Sequence, residues 1–211
     1  MEWTHRQQLE ALKGIWIRPR QTIRTLLDEE ATLPLTYLWV PLFGITFAAV
    51  QVFLRDFGDL VSFPKLLFSF VWLGILLGAV FWLIYSVLFL YLGRLWGGTG
   101  TWREIHTALA WAFVPYLGKL ILGLFQLLLF GSELFMRETP RLDQHGLLLI
   151  LYLFLLLLDA ILTIWFYFVL FKSIAEAHRF SVWKAIPVVL LGIGIWWILA
   201  LEVFHILFFP L

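Results

Sequence analysis

The chain has 211 residues, 62% of them hydrophobic and only 14% charged, with a formal net charge of +1 and a mean hydropathy of +0.93. An ordinary soluble domain is nearer half apolar and a quarter charged, so this chain lacks the polar residues to clothe a water-soluble fold, and lipid must meet most of its surface. The near-neutral charge without a basic run gives no support to nucleic-acid binding, and the lack of cysteine excludes disulfides, thiolate metal sites and cysteine nucleophiles.

The first stretch, residues 1–34, is charged and amphipathic, without the uninterrupted apolar core of a cleavable signal peptide, and is expected to be retained. Leu9, Leu12 and Trp16 share one helical face, as do Ile23, Leu26 and Leu27, and Pro19 separates the two patterns. Two short helices follow from this, either lying on the membrane surface or packed under a bundle as a plug.

Residues 35–211 carry five apolar runs, Leu35–Leu54, Leu66–Gly93, Ile105–Phe130, Leu147–Phe171 and Ala185–Phe209. Each is long enough to cross a core of ~30 Å, which takes ~20 helical residues. Stretches such as Leu153 to Leu158 do not alternate, which rules against membrane strands. The expected fold is therefore all-α, a bundle of five transmembrane helices with an amphipathic N-terminal segment.

Gly97, Gly98 and Gly100 end the second run, and Thr101 with Glu104 forms a capping box that opens the third. Ser181 is placed to cap the fifth, and Pro41, Pro115 and Pro187 are expected to bend their helices. Counted by side, the N-terminal segment and the second and fourth loops hold ten lysines and arginines against four on the opposite side. That asymmetry predicts a cytoplasmic N-terminus and an outer C-terminus. Trp39, Trp96, Trp102 and Trp183 all fall at the predicted cytoplasmic interface.

Three features in order resemble the Yip family, named for proteins that interact with Ypt/Rab GTPases, and within it the bacterial branch. They are Trp16-Ile-Arg-Pro19 followed by Thr22 and Leu26; the glycine-rich turn from Gly97 to His106 leading to Ala110-Trp-Ala-Phe-Val-Pro115; and the short loop Ala177 to Ala185 before the last run. The resemblance implies an integral membrane protein of five spans with a cytoplasmic N-terminus, placed in a bacterial inner membrane. For that branch the resemblance implies no established activity; a binding or scaffold role in membrane organisation or a trafficking-like process is expected.

Charged groups inside membrane helices are costly, about 2.5–3.5 kcal/mol each on insertion scales, and invite a role. Lys119 and Asp159 lie near the middle of the third and fourth runs at similar depth, so an ion pair is expected between them. It could clamp the helices, relay a proton or ion, or line a wet cavity. Glu202 and His205 sit three residues apart on one face of the last run, a metal-ligand spacing in di-iron bundles. The second such pair and the further carboxylates are missing, so no metal and no cofactor is expected; Gln51 and Gln126 could join a hydrogen-bonded group there.

A lone intramembrane aspartate does not make an aspartyl protease, and no P-loop, dinucleotide fingerprint or Gly-x-Ser site is present, so no enzymatic activity is expected. On the cytoplasmic side, Trp102, Arg103, His106 and Trp111, with Glu176, His178, Arg179 and Trp183, either anchor the protein or form a docking surface for a membrane or peripheral partner or for lipid headgroups. Gly74-Ile-Leu-Leu-Gly78 permits close helix contact, within the chain or across a dimer. The leading reading is a binding or scaffold protein; the alternative is a small transporter or channel with a midplane pathway through Lys119, Asp159 and Glu202.

Overall fold

A computed structural model describes residues 5–28, 34–54, 56–140 and 144–208, and of these the side chains of 5, 6, 34, 35, 57 and 200–208 lie outside the description. Among the described residues all regular structure is helical. The helices are α1 (His5–Ile17), α2 (Pro19–Asp28), α3 (Pro34–Leu54), α4 (Phe63–Leu95), α5 (Trp102–Ala112), α6 (Gly118–Phe130), α7 (Gly146–Ala177) and α8 (Val182–Phe208). Five segments are long and apolar enough to cross a membrane: α3, α4, the run from α5 through α6, α7 and α8.

Of the three prolines expected to disturb helices, Pro115 interrupts one. It lacks an N–H and its ring crowds the preceding turn, and the backbone tightens to a 3-10 turn at Val114–Leu117 before α6 resumes. Pro41 and Pro187 sit inside α3 and α8 without ending them. Pro19 instead opens α2, where its missing N–H costs nothing.

The chain forms two compact units, one of residues 1–32, 81–111 and 169–211, the other of residues 33–80 and 112–168. In the first unit α1 and α2 pack on each other, Gly14 leaving room for Thr22. Ala11, Ile15, Ile23 and Leu26 are buried. α2 thus lays Ile23 and Leu26 against protein, whereas α1 buries Ala11 and Ile15 and leaves Leu9 and Ile17 exposed and Leu12 and Trp16 partly so. Trp111, expected near the interface, is fully buried in the core of this unit with Ile105, Leu109, Val169 and Ile174.

In the second unit the backbones of α3 and α4 touch. A Cβ at Gly44 would lie 1.9 Å from the Gly74 carbonyl oxygen, and one at Gly78 would lie 2.4 Å from that of Val40. The Gly74–Gly78 pattern therefore packs within the chain, and the dimer face expected as one option is occupied by α3. Gly78→Leu is expected to lower the melting temperature in detergent, since overpacking costs about 1–3 kcal/mol, without altering the oligomeric state on size exclusion. Phe43 stacks on Phe113 with centroids 3.8 Å apart, and Tyr116 meets Phe166 edge-on, giving this unit an aromatic centre. Trp39 is buried here too, not displayed at an interface.

Candidate functional site: a histidine-centred helix cap

Two membrane helices of the first unit end in the same way. At the end of α4, Gly97 adopts φ 81°, the Gly98 N–H reaches back to the Gly93 carbonyl and the Gly97 N–H to that of Arg94. At the end of α7, the Phe180 N–H reaches Ala175 and the Arg179 N–H reaches Glu176. Both are Schellman caps, which satisfy carbonyls that the helix leaves open. The left-handed position is glycine in the first and Arg179, at φ 57°, in the second.

His178 joins the two caps. It is buried; its Nε2–H donates to the Phe89 carbonyl at 2.9 Å, and Nδ1 accepts from the Gly100 N–H at 3.3 Å. The two bonds fix the neutral ring with its proton on Nε2. The Thr99 N–H donates to the His178 carbonyl, and Phe180 stacks on the ring. Glycines form the socket: a Cβ at Gly93 would stand 2.0 Å from Nε2, one at Gly98 2.4 Å from Nδ1, and one at Gly100 2.9 Å from Nδ1.

The N–H groups of residues 97–101 all donate internally, to Arg94, Gly93, His178 twice and the Glu104 carboxylate. The glycine-rich loop is therefore a packed joint with no amide left to cradle a phosphate. The capping box expected at Thr101 and Glu104 is present in both directions. Arg179 closes on the same carboxylate, with Nη2 at 2.5 Å from Glu104.

Burial holds the His178 pKa below the ordinary histidine value of 6.5, the nearby Arg94 adding to this while the Phe89 carbonyl and Glu104 oppose it. The unfolded chain therefore takes up this proton more readily than the folded one. The stability tied to neutral His178 is present above pH 6.5 and is lost as pH falls from there towards the folded value. The melting temperature should drop between pH 7.5 and 5.5, and drop less steeply in His178→Gln; parallel pH slopes would contradict the assignment.

Glu176 and His178, expected on a docking surface, are internal instead. The Glu176 carboxylate is 3% exposed and is gripped by Arg20 at 2.5 Å and by Arg24, which fastens α2 to the end of α7. A carboxylate taken out of water needs such partners. His106 donates from Nδ1 to the Trp102 carbonyl and packs edge-on against Trp82, whose Nε1–H donates to the His106 carbonyl. It is half-buried and spends its Nδ1–H within its own helix. What remains outward is Trp102, Arg103, the Arg179 side chain and Trp183, the last 82% exposed. The Lys184 ammonium lies against the Trp96 carbonyl at 3.4 Å.

In the second unit Lys119 Nζ stands 3.0 Å from Asp159 Oδ2 and 3.0 Å from Thr163 Oγ1, above the Tyr116 ring. The Lys119 side chain is 5% exposed and that of Asp159 32%. Gln126 is buried in the same unit, whereas Gln51 is only partly covered. Glu202 and His205 belong to α8, but their side chains lie outside the described residues. No cluster of metal-ligating residues occurs among the described residues. Sequence reasoning passed over Glu133, which lines a pocket of about 350 Å³ with Asp56, Phe130 and Tyr152 and has one carboxylate oxygen buried without a partner.

The five spans, the amphipathic helices ahead of them and the glycine turn joined to the final loop agree with one known domain, the Yip1 domain, which matches residues 13–201. The chain belongs to the Yip family. No curated protein and no solved structure matches it. Within this Yip-family membrane protein, the glycine turn and the loop before the last span, which carried the resemblance in sequence, are the two halves of the His178 joint.

Proposed function

We propose that this Yip-family protein is a non-enzymatic binding or scaffold component of membrane organisation, docking a protein partner on the surface around Arg179. One observation carries the reading. Arg179 occupies the left-handed cap position at φ 57°, where glycine would be unstrained and another residue costs roughly 1–2 kcal/mol. Strain of this kind persists where a side chain is needed. Its guanidinium is exposed and aimed by Glu104, in the same unit as the exposed Trp183 and Trp102, residue types that dominate binding hot spots. The charge asymmetry of the loops supports a cytoplasmic placement of this surface with the C-terminus outside, and the resemblance to the bacterial branch supports an inner membrane.

Arg179→Gly separates the two roles of this residue. It should leave thermal stability unchanged or slightly raised, because the strain is relieved, while a partner co-purified in gentle detergent is lost. Undiminished partner recovery in that variant would overturn the reading. The transporter alternative rests on the Lys119–Asp159 pair, whose carboxylate is the more open member; it requires loss of flux in Asp159→Asn with the fold retained.

A further inference from the structure

We propose that Arg20 and Arg24 form a headgroup site for anionic phospholipid at the end of α7. The charge count around Glu176 is unequal: two guanidinium groups meet one carboxylate, leaving one positive charge in excess. Both arginines remain open to the outside, with side chains 50% and 61% exposed, while the carboxylate between them is 3% exposed. The acid thus anchors the pair from behind, and the opposite side of each guanidinium is free to take a second anion. Arginine suits this because its planar donors can bridge a carboxylate and a phosphate at once.

The depth agrees. Phe171 closes the apolar run of α7 and Glu176 is five residues further on, about 7.5 Å at the helical rise. The headgroup layer beyond the hydrocarbon edge is about 5–7.5 Å thick on each side. The arginines therefore stand at the level of lipid phosphates. The orientation of α2 agrees as well. Its apolar face, Ile23 and Leu26, is buried in protein, so the helix does not hold the bilayer by hydrophobic insertion. Its exposed face carries Arg20, Gln21, Arg24 and Thr25, and Asp28 is the acidic group further along the helix. Arg18 just ahead of α2 is exposed and adds a further positive charge. Membrane attraction of α2 thus comes from charge, at about fivefold in binding per basic residue near an anionic surface.

This inference rests on the family and fold alone, and stands or falls separately from the partner surface at Arg179. The test uses the full chain in mild detergent, titrated with equal amounts of phosphatidylglycerol and phosphatidylcholine and read by native mass spectrometry for retained lipid. Wild type should retain phosphatidylglycerol preferentially, and Arg20→Gln with Arg24→Gln should lose the preference by about fivefold or more. Arg20→Lys with Arg24→Lys, which keeps both charges, should keep most of it. Glu176→Gln removes the carboxylate that anchors both guanidinium groups and should lower retention below wild type. Millimolar inorganic phosphate should not displace the lipid; displacement would mean a free-anion site and overturn the proposal. So would equal retention of the two lipids by wild type, or arginine and Glu176 variants that lower the melting temperature while leaving lipid preference unchanged.

Discussion

Gly93→Ala is expected to destabilise the protein more than any other single methyl insertion in the first unit. The new Cβ would lie 2.0 Å from His178 Nε2, and the ring cannot step aside. It is buried, stacked on Phe180 and bonded at both nitrogens. Overpacking alone costs about 1–3 kcal/mol, and displacing the ring also breaks its two hydrogen bonds at about 1 kcal/mol each. A loss of about 3 kcal/mol or more should appear as sharply reduced folded yield and a lower melting temperature. Gly93→Ala combined with His178→Ala should be more stable than Gly93→Ala alone, because the empty socket accepts the methyl group. Additive losses in the double-mutant cycle would show that the two residues do not meet.

The second large effect belongs to Lys119 and Asp159. Lys119→Met leaves a carboxylate within a membrane helix, and Asp159→Leu leaves an ammonium that is 5% exposed with only Thr163 and the Tyr116 ring beside it. Removing one partner of a buried pair costs about 3–5 kcal/mol, and replacing both by apolar groups is often close to neutral. Since Asp159 is partly open, Lys119→Met should sit at the lower end of that range and Asp159→Leu at the upper end. The double variant should melt above either single one. Equal melting temperatures in all three would remove the pair from any structural role, and a double variant that is stable yet loses ion or proton flux would move the balance to the transporter.

The elements legible in the sequence were those set by local pattern or by depth. Five spans follow from runs of apolar residues, the Thr101–Glu104 box from a spacing of three, and the Lys119–Asp159 contact from two charges at one depth on sequential helices. Arrangements that join distant segments were not legible. Arg20 and Arg24 lie more than 150 positions from Glu176, and no periodicity links them, so Glu176 read as a surface charge. His178 read the same way because a histidine in a short polar loop is ordinarily exposed. One signal was present: a helix end needs a single left-handed glycine, and Gly93, Gly98 and Gly100 exceed that need. Surplus glycines mark the close approach of something large, here an imidazole. The Gly74–Gly78 pattern gave close packing but not its partner, since a small-residue face does not state which helix will cover it.

The most direct test of the proposed docking surface is a photo-crosslinking amino acid placed at position 183 in the native membrane, beside a control at the exposed position 157. One discrete protein adduct is expected from position 183, absent from 157, abolished by Arg179→Gly and unaffected by Asp159→Asn. No adduct from 183, or an adduct that persists without the Arg179 side chain, would contradict it.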